Sequence, residues 1–289
     1  MIHIKSHGKT ILTGEHAVIR GAPAVVIPNL HQTLEVHYDA SKSFHIICED
    51  SITSNIFETH LHNLWHMGQR YLNIPQTDLR GELHIRNTVP IARGCGFSGA
   101  FSVIVAKLLH HIYELNPSTE SIFNLGLYFE TQFHGSSSGA DIAGAMSHQP
   151  IWFQQHSMRV IDCHHTGYFY LFDSQQISHT KKCVEQVSAM QNLKIDETMC
   201  LASGLMLKGL ESNEYSSELI GQSLHLANSC FAQWNLITPE VQKTQDYISS
   251  LGAMASKVTG AGGGGYVVGY FKQPLVNQID DLHFQPLTI

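Results

Sequence analysis

The chain has 289 residues, enough for one large domain or two intimate ones, and 43% of them are hydrophobic, enough for a substantial core. Only 14% are charged and the formal net charge is −7, so no basic stripe is present to neutralise phosphates, and a nucleic-acid partner is excluded. No apolar run is long enough to span a bilayer, and the N-terminal MIHIKSHGKTIL lacks an apolar segment followed by a small-residue cleavage site; a soluble, cytoplasmic protein with no membrane partner is expected.

The first fifty residues read as strands. Ala24 to Ile27 is a short apolar run after the Gly21-Ala22-Pro23 turn, while Thr33 to Tyr38 and Phe44 to Glu49 alternate as half-buried antiparallel strands do. From Asn55 to Leu72 the apolar residues recur at helical spacing, with Pro75 at the exit. Glu82 to Ile85 is a further brief strand, and a strong helix is predicted over Phe101 to Leu115, ended by Asn116-Pro117. Ser118 or Thr119 caps the next helix, which runs to about His134.

Strand-like segments follow at 151–153 and 168–172, then four helical stretches near 181–190, 196–210, 215–233 and 239–251, and last a strand over 266–271. Strands and helices mix without regular βαβ alternation, so an α+β class is preferred to a doubly wound sheet, with two packed halves meeting near 155–170.

Two composition features invite a metal or redox reading. His62 and His66 lie four apart on a helix and can share a face, but no H-E-x-x-H pattern or third ligand accompanies them, so ordinary imidazoles are preferred. The six cysteines (Cys48, Cys95, Cys163, Cys183, Cys200 and Cys230) form no C-x-x-C pair and read as reduced thiols.

Three loops are rich in small and polar residues. Gly94-Cys95-Gly96-Phe97-Ser98-Gly99-Ala100 lies between the Pro90 turn and a strong helix; its amides either face an anion or merely cap the helix. His134-Gly135-Ser136-Ser137-Ser138-Gly139-Ala140-Asp141 places an Asp after a Ser/Gly loop, as an N-cap or as a reactive carboxylate. Glu130, expected on the polar side of the preceding helix, favours the reactive reading, because one carboxylate can hold Mg²⁺ while the other acts as base.

The third loop, Lys257 to Gly265, formally contains G-x-G-x-x-G, but its glycines lead into a strand where a dinucleotide site requires a helix. A tight hairpin would need one or two glycines and not five. No G-K-[ST] closes any of the loops, which removes a P-loop. Near the N-terminus, Lys9, Glu15 and His16 fall in one short strand–turn segment. Each alone would be a solvated surface residue; together they point to a small acidic, hydroxylated ligand.

With these segments in view, the sequence resembles the GHMP kinase superfamily, and within it the mevalonate kinase branch. Gly8-Lys9 through Gly21 resembles G-K-x-x-L-x-G-E-H-A-V-x-x-G, Pro90 through Ala100 is similar to P-x-x-x-G-L-G-S-S-A-A, and His134 through Asp141 to H-G-x-P-S-G-x-D. Lys257 through Gly265 resembles K-L-T-G-A-G-G-G-G, and Asp173-Ser174 with Ser178-His179-Thr180-Lys181 resembles D-[ST]-x-x-x-x-S-T-K.

The resemblance implies a two-domain fold, with an N-terminal ribosomal-protein-S5-like domain over 1–162, a C-terminal ferredoxin-like domain over 163–289, and the active site in the cleft between them. It implies ATP and Mg²⁺ as cofactors and mevalonate as the small-molecule acceptor, phosphorylated on its C5 hydroxyl. By motif position, Asp141 would be the base and Lys9 would keep it ionised and stabilise the forming alkoxide. Pro90, Gly94, Cys95, Gly96, Phe97, Ser98, Gly99 and Ala100 would cradle the nucleotide, with Ser98 and Glu130 holding the metal. Glu15, His16, Ser138, Gly139, Thr180, Gly262 and Gly263 would meet the substrate. A homodimer is left open by the sequence.

The chain departs from the pattern at Cys95 (usually Leu), Phe97 (the first Ser), Gly99 (an Ala), Ser137 (Pro) and His7 (Pro). A bulky Phe97 in a phosphate loop implies altered nucleotide affinity. Cys95 beside a helix N-terminus implies a thiol of lowered pKa that is sensitive to oxidation.

Overall fold

The computed structural model describes residues 2–190, 192–275 and 284–289, which fold as two compact units built from interleaved segments. Unit 1 takes its described residues from Met1–Gly8, Leu30–Val89 and Gly96–Met146; unit 2 takes them from Lys9–Asn29, Pro90–Cys95 and Ser147–Ile289. Two long paired strands, β1 (Ile2–Thr13) and β2 (Ala24–Asp39), each contribute to both units.

In unit 1, β2 pairs antiparallel with β4 (Glu82–Asn87), Val36 opposite Ile85, and β4 pairs in parallel with β3 (His45–Cys48), Ile46 opposite Leu83. Helix α1 (Ser51–Tyr71) begins earlier than its apolar periodicity indicates, because the Asp50 carboxylate accepts from the Ile52 and Thr53 amides at 3.1 and 3.3 Å. Helix α2 (Phe97–Ile112) packs on α3 (Thr119–His134) and on the short α4 (Ala140–Met146). Ser118 caps α3 as expected, accepting from the Ser121 amide at 3.0 Å. Phe57, Trp65, Phe101 and Phe129 are buried, with the Phe57 and Phe101 rings edge to face at 4.6 Å. Burial of each such ring contributes roughly 1.5–3 kcal/mol.

In unit 2 the start of β2 pairs with β5 (Ile151–Gln154), which turns back into β6 (Ser157–Val160). A four-stranded antiparallel sheet follows in the order β10 (Phe284–Leu287), β7 (Tyr168–Asp173), β9 (Tyr266–Phe271), β8 (Ala255–Val258). Helices α5 (Thr180–Met190), α6 (Leu193–Glu211), α7 (Ser216–Gln233) and α8 (Pro239–Ser250) enclose one core, in which Phe172, Met199, Phe231, Trp234, Val258 and Val267 meet. The α+β class read from the sequence is the observed one. No helix among the described residues is long and apolar enough to cross a membrane.

Candidate active site

Unit 1 holds the second half of the Gly94–Ala100 loop and the whole of the His134–Asp141 loop. The helix starts four residues earlier than periodicity predicts, so Phe97, Ser98, Gly99 and Ala100 form the first turn of α2 and are not loop. Gly96 permits this by standing at the N-cap with φ 78°, a left-handed conformation that costs a glycine little. Gly96 itself offers no capping side chain and the first turn carries no acid, so the helix opens without an N-cap hydroxyl or carboxylate of its own and with the positive end of its dipole at this turn.

Ser98 is half-buried, whereas Phe97, Gly99 and Ala100 are buried. The Phe97 ring turns into the unit 1 core and stacks on Phe101 with centroids 6.3 Å apart, so it is directed into packing and not across the amides.

Asp141 opens α4, half-buried, directly against this first turn: a Cβ placed on Gly99 would lie 3.1 Å from the carbonyl carbon and oxygen of Asp141 and 3.2 Å from its Cβ. A side chain at position 99 would push α2 and the carboxylate-bearing residue apart by a few tenths of an ångström. The departure at position 99 therefore has a local reason.

The Ser137 hydroxyl donates to Glu130 and accepts the Gly139 amide at 3.1 Å, while Ser138 Oγ accepts the Ala140 amide at 3.2 Å. Glu130 itself is 2% exposed, which corrects its expected position on a polar helix face. A buried carboxylate must be hydrogen-bonded or metal-bound to remain ionised, and Ser137 supplies part of that need. The Ser137 hydroxyl does so from the position where the motif has a proline.

Unit 2 holds the other motif residues. Lys9 is 2% exposed; its Nζ donates to the Gly94 carbonyl at 3.2 Å and its amide donates to the Cys95 carbonyl at 2.8 Å, binding β1 to the loop 90–95. Pro90 is half-buried. The Cys95 side chain is buried, without the exposure that oxidation of a thiol requires.

Glu15 is buried and accepts from Lys257 Nζ, which also donates to the Val258 carbonyl at 2.7 Å and lies 4.8 Å from the centre of the Phe231 ring. Burial pushes the Glu15 carboxyl up and the Lys257 ammonium down, and their mutual attraction opposes both shifts. His16 meets the Ala261 carbonyl through Nε2 at 3.0 Å and sets its ring edge to Trp234 at 5.2 Å. Burial lowers its pKa from 6.5 to about 4, with the Arg20 and Lys257 charges adding to the effect against the Ala261 hydrogen bond.

The glycine loop is fixed from several sides. Thr259 Oγ1 donates to the Ile11 carbonyl at 2.8 Å, and the Gly262 carbonyl accepts from Ser178 Oγ at 2.7 Å. A Cβ on Gly260 would lie 3.2 Å from Gly94 Cα, one on Gly262 2.9 Å from the Leu236 Cβ, and one on Gly263 3.0 Å from Cys183 Sγ. Close neighbours on several sides, backbone at Gly260 and side chains at Gly262 and Gly263, explain the run of glycines. Thr180 is exposed at the start of α5.

Two partners here escape sequence reading: Lys257, buried against Glu15 from 242 positions away, and the ion pair of Arg93 with Asp173 at 2.8 Å. The only available signal was the place of Lys257 at the head of the glycine loop. Of the helix histidines weighed for metal, His62 packs against the Phe44 ring and His66 bonds Gln69.

Comparison with known proteins matches residues 60–149 to the GHMP kinases N terminal domain and residues 206–280 to the GHMP kinases C terminal domain. A mevalonate kinase of Archaeoglobus fulgidus is 24% identical over 266 residues, covering 92% of this chain and 90% of that protein. The crystal structure of L. major mevalonate kinase in complex with R-mevalonate shares the fold, with TM-score 0.75, 19% identity, and 94% and 88% of the two chains covered. So does Streptococcus pneumoniae phosphomevalonate kinase in complex with phosphomevalonate and AMPPNP, with TM-score 0.78, 19% identity, and 95% and 93% covered.

Proposed function

From the GHMP kinase superfamily, to which this chain belongs, we infer that its reaction is transfer of the γ-phosphoryl group of ATP to the C5 hydroxyl of mevalonate, as a cytoplasmic step toward isoprenoids. The observation that carries this reading is the pairing in unit 1 of a glycine-opened helix N-terminus with Asp141 packed against its first turn. An anion-binding helix end beside a half-buried carboxylate is what phosphoryl transfer to an alcohol needs: one holds phosphate, the other accepts the hydroxyl proton. Similarity to mevalonate kinases over nine-tenths of the chain supports mevalonate as acceptor.

In this reading Asp141 takes the proton from the acceptor hydroxyl, and the α2 amides of Phe97, Ser98 and Gly99 bind phosphate oxygens. Lys9, held by the Gly94 carbonyl, supplies positive charge toward the forming alkoxide. Ser98 and Glu130 offer oxygen donors that suit Mg²⁺, which when bound neutralises charge on the nucleotide phosphates. Glu15, His16, Ser138, Gly139, Thr180, Gly262 and Gly263 are assigned to the acceptor. Division of the chain at 162/163, and assembly as a homodimer, belong to the same proposal; the two family matches fall on either side of that boundary.

The test is ADP release with Mg-ATP, offering mevalonate and 5-phosphomevalonate in parallel, with Asp141→Asn as control. Turnover on mevalonate alone, lost in the variant by about 10²-fold or more, is the expected result. Turnover on 5-phosphomevalonate alone would move the acceptor one phosphate along, a reading kept in view by the fold shared with phosphomevalonate kinase. ATP binding without turnover on either would replace the enzyme with a ligand sensor.

A further inference from the structure

On unit 1, apart from every residue assigned above, three side chains converge on one face of the paired strands β1 and β2. They are His3, Glu35 and His37, and their nearest ligand atoms all lie within 4.8 Å of one another. They are the one such cluster among the described residues. Glu35 and His37 stand two apart on β2 and so share a face, and His3 comes from β1 beside them. The two imidazoles are stacked, with centroids 4.2 Å apart and planes at 4°.

The carboxylate is divided in its contacts. Its Oε1 accepts from Thr33 Oγ1 and from Lys5 Nζ, both at 3.1 Å, while its Oε2 faces His3 Nε2 at 3.5 Å, beyond a good hydrogen bond. One oxygen is thus anchored by outer partners and the other is presented to the imidazoles. A ligating carboxylate is held in the same way in metal centres, where outer hydrogen bonds fix the orientation of the donor.

We propose that His3, Glu35 and His37 bind a transition-metal dication of the zinc class, joining β1 to β2. Two imidazole nitrogens and one carboxylate oxygen suit zinc, copper or nickel in preference to magnesium or calcium. Three protein ligands leave the fourth tetrahedral position to water. Metal–ligand bonds of about 2.0–2.2 Å bring donor atoms to roughly 3.3 Å from one another, so the cluster contracts by about 1.5 Å at its widest. Because the lone pairs of stacked rings run parallel, one imidazole turns about its side-chain torsions to converge on the ion. His3 and His37 are both exposed, so this motion meets little resistance. Lys5 remains on the far oxygen of Glu35, where it balances charge without entering the coordination sphere.

The test uses tag-free, chelator-treated full-length protein titrated with Co²⁺ and Zn²⁺ in the presence of a weak competing chelator. Cobalt reports coordination through its visible absorption, and zinc reports affinity by calorimetry. One site per chain is expected, with a cobalt spectrum of low coordination number that zinc abolishes. His3→Ala and His37→Ala should each weaken binding at least about 100-fold, and Thr33→Val, which removes an outer partner, about tenfold. The exposed His111→Ala, on another element, should leave binding unchanged. Circular dichroism would verify that each variant stays folded. Equal affinity in His37→Ala and the parent, or zinc uptake with no cobalt spectrum, would mean an adventitious ion only and overturn the proposal. The site lies apart from the kinase residues, so its failure would leave the proposed reaction untouched.

Discussion

Replacing Lys257 by Met is the sharpest test of the energetics of this fold. Lys257 is fully buried and Glu15 is 2% exposed, so neither charge has water to fall back on. The ammonium has three neighbours: the Glu15 carboxylate, the Val258 carbonyl at 2.7 Å and the Phe231 ring at 4.8 Å. Methionine fills a similar volume and removes all polar contact. The Glu15 carboxylate, whose Oε2 already has no hydrogen-bond partner among the described residues, then stays buried without its main counter-charge, with only a backbone hydrogen bond and the weaker influence of Lys9 to favour it.

Removing one member of a buried pair costs about 3–5 kcal/mol, most of it the stranded partner's desolvation. Glu15→Gln should cost less than Lys257→Met, because the ammonium keeps the carbonyl and the aromatic face. In the double variant no charge is stranded, so its loss should fall at least about 2 kcal/mol short of the sum of the singles. Urea unfolding followed by circular dichroism measures all four corners of this cycle. Strict additivity, or single losses below about 1 kcal/mol, would show that the pair is not coupled and that its burial is not what holds it.

Three further perturbations follow. His16 is neutral when folded, with a pKa lowered to about 4, so between that value and 6.5 the unfolded chain binds more protons; stability should fall as pH drops through this window, by at most about 3 kcal/mol, and His16→Gln should flatten that slope in thermal melts between pH 4 and 7. Gly99→Ala forces a methyl to 3.1 Å from the Asp141 backbone; a displacement of a few tenths of an ångström should lower kcat roughly tenfold with the KM for ATP little changed, and full kcat would show that Asp141 need not sit where it does. Phe97→Ser, which restores the motif residue, should cost about 3 kcal/mol by emptying the space beside Phe101 and should not tighten ATP binding in a titration; a tighter complex would return the ring to the phosphate site.

The parts of the fold that a reader of the sequence finds are those whose cause is local. Ser118 caps α3 by accepting the amide of Ser121, three residues on, and the glycines of 260–265 announce close approach without saying to what. Reading failed where the cause lay elsewhere in the chain. The apolar run Ala24 to Ile27 and the alternating Thr33 to Tyr38 read as separate strands, yet β2 is continuous, since Ala24 to Val26 pair with β5 and Leu34 to Asp39 with β4, each end held by a different partner. β10 lies beyond the last strand expected from the sequence; it contains Pro286, which a strand tolerates at a sheet edge, and β10 is the edge beside β7.

β8 is the most instructive case. Ala-Ser-Lys-Val is a polar fragment by any local measure, and a lysine there is expected in solvent. It is buried because Glu15 is, and Glu15 is buried because Lys257 is: neither charge can leave water alone, so each placement is explained only by the other. The same reasoning covers the site as a whole. Motif glycines and hydroxyls identify themselves by what they permit nearby, whereas buried charges are placed by partners that chain distance hides, and those partners are where sequence reading must give way to coordinates.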